Sequence, residues 1–234
     1  MPRLGVGLHL VLVDGRPALP PDEIPDLVAA DGRFHRNPAM IGARIFFQPR
    51  LQQQVEREMR AQFSLFLATE LTLDHVNAHH HFHQHPTIVG LLVRMADEFG
   101  IKSVRWPVEP PLASWRAQHQ RPLSRWLAWL CSAARLLRMR QRLHSNDIRC
   151  NDYMFGLHDS GDMTPERVKR FLRELPDGVS EIYCHPATRH WRGEDALPSH
   201  YRCVEEFQAM ADPAMRKLVE QAGMKLISFD GLHR

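Results

Sequence analysis

The sequence predicts an α/β fold built as an irregular (β/α) barrel, and three observations support this prediction. About six short apolar runs alternate with amphipathic segments of helical period, a pattern typical of a parallel sheet covered by helices. The first run leads into VDGRPALPPDE rather than a glycine-rich phosphate loop, which disfavours an open doubly wound sheet. Histidine and arginine residues fall at the ends of several predicted strands, where (β/α) barrels carry their active-site groups.

The predicted strands are short apolar stretches bounded by turn residues. They cover residues 5–13, 73–79, 103–107, 152–157, 179–185 and 225–229. Because a complete barrel has eight strands, six are too few to close one, and we expect a single, incomplete barrel domain over residues 1–234. The proline-rich segment 14–38 is expected to be a long loop.

The predicted helices have apolar residues at helical spacing. They cover residues 51–69, 87–99, 123–144, 164–175, 200–211 and 213–222. Gly100 stands in the usual position after a helix C-terminus, and Thr164 followed by Pro165 is a typical helix start. The alternation of these helices with the strands is the basis of the predicted fold class.

The composition excludes several classes of protein. Hydrophobic residues make up 44% and charged residues 24% of the 234 residues, which is ordinary globular composition. The net charge is only +3, so we expect no nucleic-acid partner. The N-terminus lacks the pattern of a secretory signal, and no apolar run reaches the length of a membrane span, so the expected location is the cytoplasm.

Histidine clustering is the most unusual feature of the sequence. Six of the 15 histidines lie between His75 and His85. If the strand at 73–79 continues to His83, the side chains of His79, His81 and His83 share one face and can bind a divalent metal. His9, on a separate predicted strand, is a candidate second source of a metal ligand. The alternatives are a solvated histidine-rich loop and, for His9, a hydrogen-bonded core residue.

Two further residues are candidates for the chemistry. His185 ends a predicted strand before Pro186, and an imidazole can act as a general acid or base near neutral pH. Arg105 lies in the strand at 103–107 and can contact a sugar or an oxyanion, or form a structural ion pair with Glu109.

Three motifs together resemble the YdjC-like (ChbG-type) carbohydrate deacetylases, and the resemblance extends over essentially the whole chain. The motifs are Gly7-Leu8-His9-Leu10, Ala78-His79-His80-His81-Phe82-His83 and Cys184-His185-Pro186. The hopanoid-biosynthesis branch of the family is the more similar one. That closer likeness is carried by VGLHLVLVDGRP, by residues 103–110, by Asn151-Asp152-Tyr153 with Gly156, and by Ser160-Gly161.

The resemblance implies a metal-dependent hydrolase that removes the acetyl group from an N-acetylglucosamine unit, here on a hopanoid glycolipid. It implies metal ligands at His9 and His79 and a catalytic or substrate-contacting role for His185. His81 and Arg105 are further candidates for contacts to the sugar or the oxyanion of such a substrate. The expected cofactor is a divalent metal, Mg²⁺ or Zn²⁺, whose type the residues do not determine, because imidazole favours zinc whereas carboxylate with water allows magnesium or manganese. The resemblance also implies the irregular (β/α) barrel of the polysaccharide-deacetylase type. The family's N-terminal Asp-Asp motif is absent from this sequence, so the expected barrel is truncated at the N-terminus, and a catalytically impaired barrel that binds metal or sugar without turnover is the alternative.

The segment 121–149 suggests where a lipid-linked substrate would be met. It carries seven arginines and one acidic residue, interleaved with tryptophan and leucine, a composition that suits a membrane interface. The competing interpretation is an outer barrel helix with solvated arginines. We therefore expect a cytoplasmic protein with peripheral contact at the inner face of the membrane. Sheet edges left open by a missing N-terminus make a homodimer a further possibility.

Overall fold

A computed structural model describes residues 4–120, 122–193 and 196–233, which divide into two compact units. The first unit contains residues 4–105, 137–150 and 228–233. The second contains the described residues of 106–136 and 151–227. Arg121, the first residue of the predicted basic segment, lies outside the described residues.

The first unit is organised around a parallel strand pair. β1 (Val6–Leu10) pairs with β2 (Leu73–Ala78), and two single bridges, Val76 to Val104 and Ser103 to Arg149, extend the parallel row. Helices α1 (Pro38–Phe47) and α2 (Pro49–Leu67) connect β1 to β2. A 3₁₀ segment (His79–Gln84) and α3 (Pro86–Phe99) follow β2, and a second 3₁₀ segment covers Phe229–His233.

The helices of this unit have apolar residues at regular helical spacing, which gives each helix one face to bury. Leu51, Val55, Met59 and Phe63 recur every four residues along α2, and all are buried. The helix packs them against β1, α1 and α3. At the end of α3, Gly100 takes a φ of 66°, the left-handed conformation expected of a helix-terminating glycine.

The second unit has its own strand pair and its own core. Its elements are α4 (Pro111–Gln118), the first part of α5 (Pro122–His144), β3 (Tyr153–Phe155), α6 (Pro165–Arg173), β4 (Ser180–Ile182), α7 (Cys203–Ala211) and α8 (Pro213–Gln221). β3 and β4 are parallel, and α6 packs against α4, α7 and α8. Phe155 and Phe171, both fully buried, lie at the centre of the apolar cluster between these elements.

The α/β class is confirmed, but the barrel prediction is not: the described residues form two short parallel strand pairs and no clear closed barrel. The strand predicted at 103–107 contributes only single bridges at Ser103 and Val104. Pro107 follows closely and has no amide hydrogen with which to continue a ladder. The strand predicted at 225–229 is wrong, because no strand forms there and Phe229 begins a 3₁₀ segment.

Two helices were missed at the sequence level. The predicted loop 14–38 ends where α1 begins, with the Asn37 side chain accepting hydrogen bonds from the amides of Ala39 and Met40. The dipeptide Asn37-Pro38 is a typical helix start, so the signal was present. α4 is only eight residues long and weakly amphipathic, which left no clear apolar period to find.

A buried ionic network organises the second unit. Arg125, near the start of α5, is 1% exposed and donates to the carboxylates of Glu109 (2.6 Å) and Asp159 (2.8 Å). Glu109 also accepts from the backbone amides of Leu157 and His158. Asp159 also accepts from Arg167 at 2.8 Å, so two guanidinium groups face the two carboxylates, and buried ionic groups need such pairing.

Replacing Arg125 by leucine is predicted to destabilise the protein strongly. The substitution leaves the Glu109 and Asp159 carboxylates buried without their shared cation, and breaking a buried pair in this way costs about 3–5 kcal/mol. Denaturant unfolding measures the loss. The matched control is Arg138→Leu, at an exposed position of the same helix, for which we expect a change below about 0.5 kcal/mol. Equal unfolding midpoints for the two variants would contradict the prediction.

Candidate functional site

The C-terminal ends of β1 and β2 bring the first two histidines together. In the parallel register, His9 pairs with Asn77 and Leu10 with Ala78, so His79 follows directly beyond the end of β2. The imidazole rings of His9 and His79 meet edge to face with their centroids 5.8 Å apart. The structure therefore joins the two predicted metal ligands at one strand-end site of the first unit.

The histidine run does not continue β2 as predicted. Residues His79–Gln84 form a 3₁₀ segment in which His80 and His81 adopt left-handed φ angles of 51° and 52°. The prediction that His79, His81 and His83 share one strand face is therefore wrong. His79 approaches His9, His83 turns into the core, and the His81 ring lies 6.1 Å from that of His83.

Both candidate ligands are held in the neutral form. Desolvation, with the nearby charges of His80 and His9, lowers the pKa of His79 to about 4. Desolvation also lowers the pKa of His9, against the hydrogen bond with Asn77, which raises it. Because a metal binds the unprotonated imidazole nitrogen, neither ring has to lose a proton at neutral pH before it can act as a ligand.

A carboxylate that the sequence did not single out lies next to these rings. Donor atoms of Asp14, His79 and His80 are all within 4.8 Å of one another, a spacing that fits a shared metal ion. The Asp14 carboxylate is 3.6 Å from His80 Nε2. Asp14 follows β1 in a left-handed conformation with a φ of 48°. Nothing in its sequence context marks it, because only the fold brings it to the histidines.

Arg105 and His83 lie beside the histidine pair rather than in it. His83 is fully buried, and its Nε2–H donates to the Arg105 carbonyl at 2.9 Å. Desolvation and the Arg105 charge lower the pKa of His83 to about 3. The same guanidinium charge lowers the pKa of His9, so it lies close enough to act on an anionic group bound there. The possible ion pair with Glu109 stays a prediction, although the Glu109 carboxylate does bind Arg125.

His185 lies in the second unit, at the end of the segment that follows β4. Its backbone amide donates to the buried carboxylate of Glu206 on α7, at 2.5 Å. Its Nε2 is 2.7 Å from the Tyr183 hydroxyl, and its ring packs against that of Tyr201 with centroids 5.0 Å apart. This surrounding fixes both the backbone and the ring of His185, as an acid–base group requires.

Known proteins resemble this chain over most of its length. The family model described as "YdjC-like protein" matches residues 1–221. A carbohydrate deacetylase of Geobacillus stearothermophilus is 28% identical over 97% of this chain and 76% of the relative. One from Brevibacillus brevis is 38% identical over 45% of this chain and 39% of the relative. A solved Enterococcus faecalis structure, described as a candidate cellobiose-phosphate cleavage protein, shares the fold. It has a TM-score of 0.68 and 20% identity, over 99% of this chain and 78% of that chain.

The buried His83 is predicted to make stability pH-dependent. The unfolded chain takes up a proton near pH 6.5, whereas folded His83 stays neutral down to about pH 3, so acidification favours unfolding across this range. At pH 5 the His83 contribution lowers the unfolding free energy by about 2 kcal/mol relative to pH 7. His83→Gln keeps a donor for the Arg105 carbonyl but does not titrate. The loss between pH 7 and pH 5, measured by denaturant unfolding, should shrink by that amount, while no pH-dependent difference arises between pH 7 and pH 8. If His83→Gln lost as much unfolding free energy between pH 7 and pH 5 as the wild type, the result would contradict the role given to His83.

Proposed function

Because the chain belongs to the YdjC-like family, we propose that it is a carbohydrate deacetylase that hydrolyses the acetamide of an N-acetylglucosamine unit with the help of a divalent metal. Two similar proteins carry the name carbohydrate deacetylase. The hopanoid-type sequence motifs favour a hopanoid glycolipid as the acceptor of that sugar. The product would be a free glucosamine amine, with acetate released.

The observation that carries the proposal is the pair of neutral imidazoles at the ends of β1 and β2. The His9 and His79 rings meet at the strand ends, and their lowered pKa values leave nitrogen lone pairs available. The donor atoms of His79, His80 and Asp14 lie within 4.8 Å of one another, and His9 adjoins this group through its ring contact with His79. Two imidazoles with one carboxylate are a common donor set for catalytic zinc and also accept magnesium or manganese. The residues present therefore fit a divalent metal.

The reaction divides its tasks among the residues of the chain. Amide hydrolysis adds a water oxygen to the acetyl carbon and breaks the carbon–nitrogen bond. A base must take a proton from the attacking water, a role that the resemblance gives to the family's N-terminal aspartates, and the leaving nitrogen needs a proton. A bound metal polarises the carbonyl and lowers the pKa of water. When a metal is bound, His9 and His79 would hold it, and the family resemblance gives His185 the role of protonating the leaving amine. His81 and Arg105 are candidates for contacts to the sugar or the developing oxyanion.

A metal- or sugar-binding protein without turnover is the second candidate. Asp14, the carboxylate beside the histidines, favours it, because the Asp14 side chain is 48% exposed and its carboxylate lies 3.6 Å from His80 Nε2. A general base normally needs to be held against the water that it deprotonates. This candidate predicts metal binding without release of acetate, so one assay separates the two functions.

The deacetylase proposal predicts acetate release that depends on the histidine pair. The protein, incubated with Zn²⁺ or Mg²⁺ and an N-acetylglucosaminyl substrate, should release acetate, and His9→Ala or His79→Ala should reduce kcat/KM at least about 100-fold because each removes a metal ligand. Coupled enzymatic acetate detection measures the rate. His144→Ala, at an exposed position at the end of α5, is the matched control and should retain full activity. Metal binding without acetate release from any such substrate would favour the second candidate.

The outer surface of α5 supports contact with a membrane carrying a lipid-linked substrate. Leu123, Leu127, Leu130 and Leu137 are exposed and recur at helical spacing, and Trp126 beside them is 44% exposed. Arg135 and Arg138 are exposed on the same helix. Apolar side chains flanked by arginine suit insertion at an anionic interface. Every helix of the described residues is too short or too polar to cross a membrane.

We therefore expect the protein to bind vesicles containing anionic lipid and to bind neutral vesicles weakly. Arg135→Gln with Arg138→Gln should weaken binding by about tenfold or more, because each basic residue contributes about 1 kcal/mol near an anionic surface. Leu127→Ser with Leu130→Ser should also weaken it, through lost apolar insertion. Vesicle co-sedimentation at low and high salt measures both, with Arg189→Gln and Arg192→Gln outside α5 as the control pair. Equal sedimentation of all variants would exclude this surface.

A further inference from the structure

A continuous chain of hydrogen bonds runs from a buried carboxylate to His9. The Nδ1–H of His75 donates to Asp74 Oδ2 at 2.9 Å, and the Asn77 amide nitrogen donates to His75 Nε2 at 3.3 Å. The Asn77 amide oxygen in turn accepts from the Nδ1–H of His9. All four residues belong to the first unit.

The direction of the chain is set at its carboxylate end. Asp74 accepts from the backbone amides of Phe229 (3.2 Å) and Asp230 (2.9 Å), so its oxygens act as acceptors only. His75 must therefore present Nδ1–H to Asp74, which leaves its Nε2 as an acceptor. Only the amide nitrogen of Asn77 can satisfy that acceptor, and the Asn77 oxygen is then left facing His9. If the Asn77 amide were reversed, its oxygen would face His75 Nε2. Either these two acceptors would then oppose each other, or the proton would move to Nε2 and leave His75 Nδ1 facing the Asp74 carboxylate as an acceptor.

The backbone is shaped to bring these side chains together. Val6 pairs with Leu73 and Leu8 pairs with Val76, so β2 has one more residue than β1 between these two pairs. This bulge lets the adjacent residues Asp74 and His75 both lie over β1. The two side chains lie against Gly5 and Gly7 of β1, which have no side chain to exclude them. A Cβ atom on Gly5 would lie 2.5 Å from Asp74 Oδ2, and one on Gly7 would lie 2.5 Å from the His75 ring.

We propose that Asp74, His75 and Asn77 are positioning residues that hold His9 in its Nδ1–H tautomer and so direct its Nε2 lone pair toward the metal. The proposal rests on the proposed function for the identity of His9 as a ligand. The tautomer itself follows from the hydrogen bonds alone. The Phe229 ring stacks on His75 with centroids 4.3 Å apart, so the 3₁₀ segment Phe229–His233 keeps the middle of the chain in place.

The consequence for metal binding is quantitative. A ligating imidazole whose other nitrogen donates to a fixed acceptor is oriented before the metal arrives and is a stronger base, and loss of such a partner typically costs 10–100-fold in metal affinity. Asn77 acts on His9 directly, whereas Asp74 and His75 act by fixing Asn77. The effect should therefore be largest for Asn77 and smaller for His75.

Tautomer measurement tests the hydrogen-bond chain without any metal. Two-bond ¹H–¹⁵N correlation spectra of the metal-free, ¹⁵N-labelled protein distinguish Nδ1–H from Nε2–H imidazoles. We expect both His9 and His75 to be Nδ1–H tautomers, with assignments from His9→Ala and His75→Phe. In Asn77→Leu, His9 should shift toward the Nε2–H form. A wild-type His9 that carries its proton on Nε2 would overturn the proposal.

Zinc titration tests the effect on the ligand. Calorimetry with Zn²⁺ alone should show one class of site that is lost in His9→Ala. At that site, Asn77→Leu should raise Kd by about 10–100-fold and His75→Phe by a smaller factor. Asn77→Asp loses the donor to His75 but still accepts from His9, so it should weaken binding less than Asn77→Leu. Asn146→Leu, on the surface at the end of α5, is the matched control. Thermal melting verifies folding of each variant.

The two measurements separate the possible failures. If His9→Ala leaves zinc binding unchanged while the tautomers are as expected, the metal assignment fails and the hydrogen-bond chain stands. If His9→Ala abolishes zinc binding but Asn77→Leu binds zinc like the wild type, the site stands and the positioning role is overturned. Equal losses in Asn77→Leu and Asn77→Asp would also overturn it, because the acid retains the acceptor.

Discussion

The parallel pairing of β1 with β2 is the interaction on which the candidate site depends. It sets His9 level with Asn77, 68 positions further along the chain, and leaves His79 just beyond the strand end. The entropic cost of closing a loop increases only slowly with the length of the loop. The apolar residues that α1 and α2 bury within this loop offset that cost. The chemistry at the strand ends is thus supported by packing beneath it.

Burial gives neighbouring histidines different properties. His83 is enclosed in the core, where desolvation keeps it neutral and its ring serves to hold the Arg105 backbone. His79 is only partly enclosed, so it is also neutral but can still be reached by a metal and a substrate. The left-handed turn at His80 and His81 makes this division possible, because it ends the strand between the two environments. A regular strand would have given alternate histidines the same surroundings.

Charge is handled differently in the two units. Around Arg125, cation and carboxylates are buried together and compensate one another, which fixes the packing of the second unit. Around His9, the ionised Asp74 is satisfied by backbone amides and by His75, while the positive charge of Arg105 acts on neutral imidazoles. The first arrangement stabilises a structure, whereas the second leaves ligand lone pairs available for a further cation.

The sequence by itself determined the α/β class and most helices, and it singled out His9 and His79 as candidate metal ligands, because periodicity, helix-end residues and motifs are local. Only the tertiary structure decided that the described strands form short pairs, that His83 is a core residue, and that Asp14 joins His79. The alternating histidines of the run fit a strand, but the run forms a 3₁₀ segment because the backbone turns at His80 and His81. Residue periodicity does not indicate such a turn. Asn77 and Asp74 were visible as polar residues in a strand. Their role required the bulge and the facing glycines, which are properties of a strand pair and not of either strand alone.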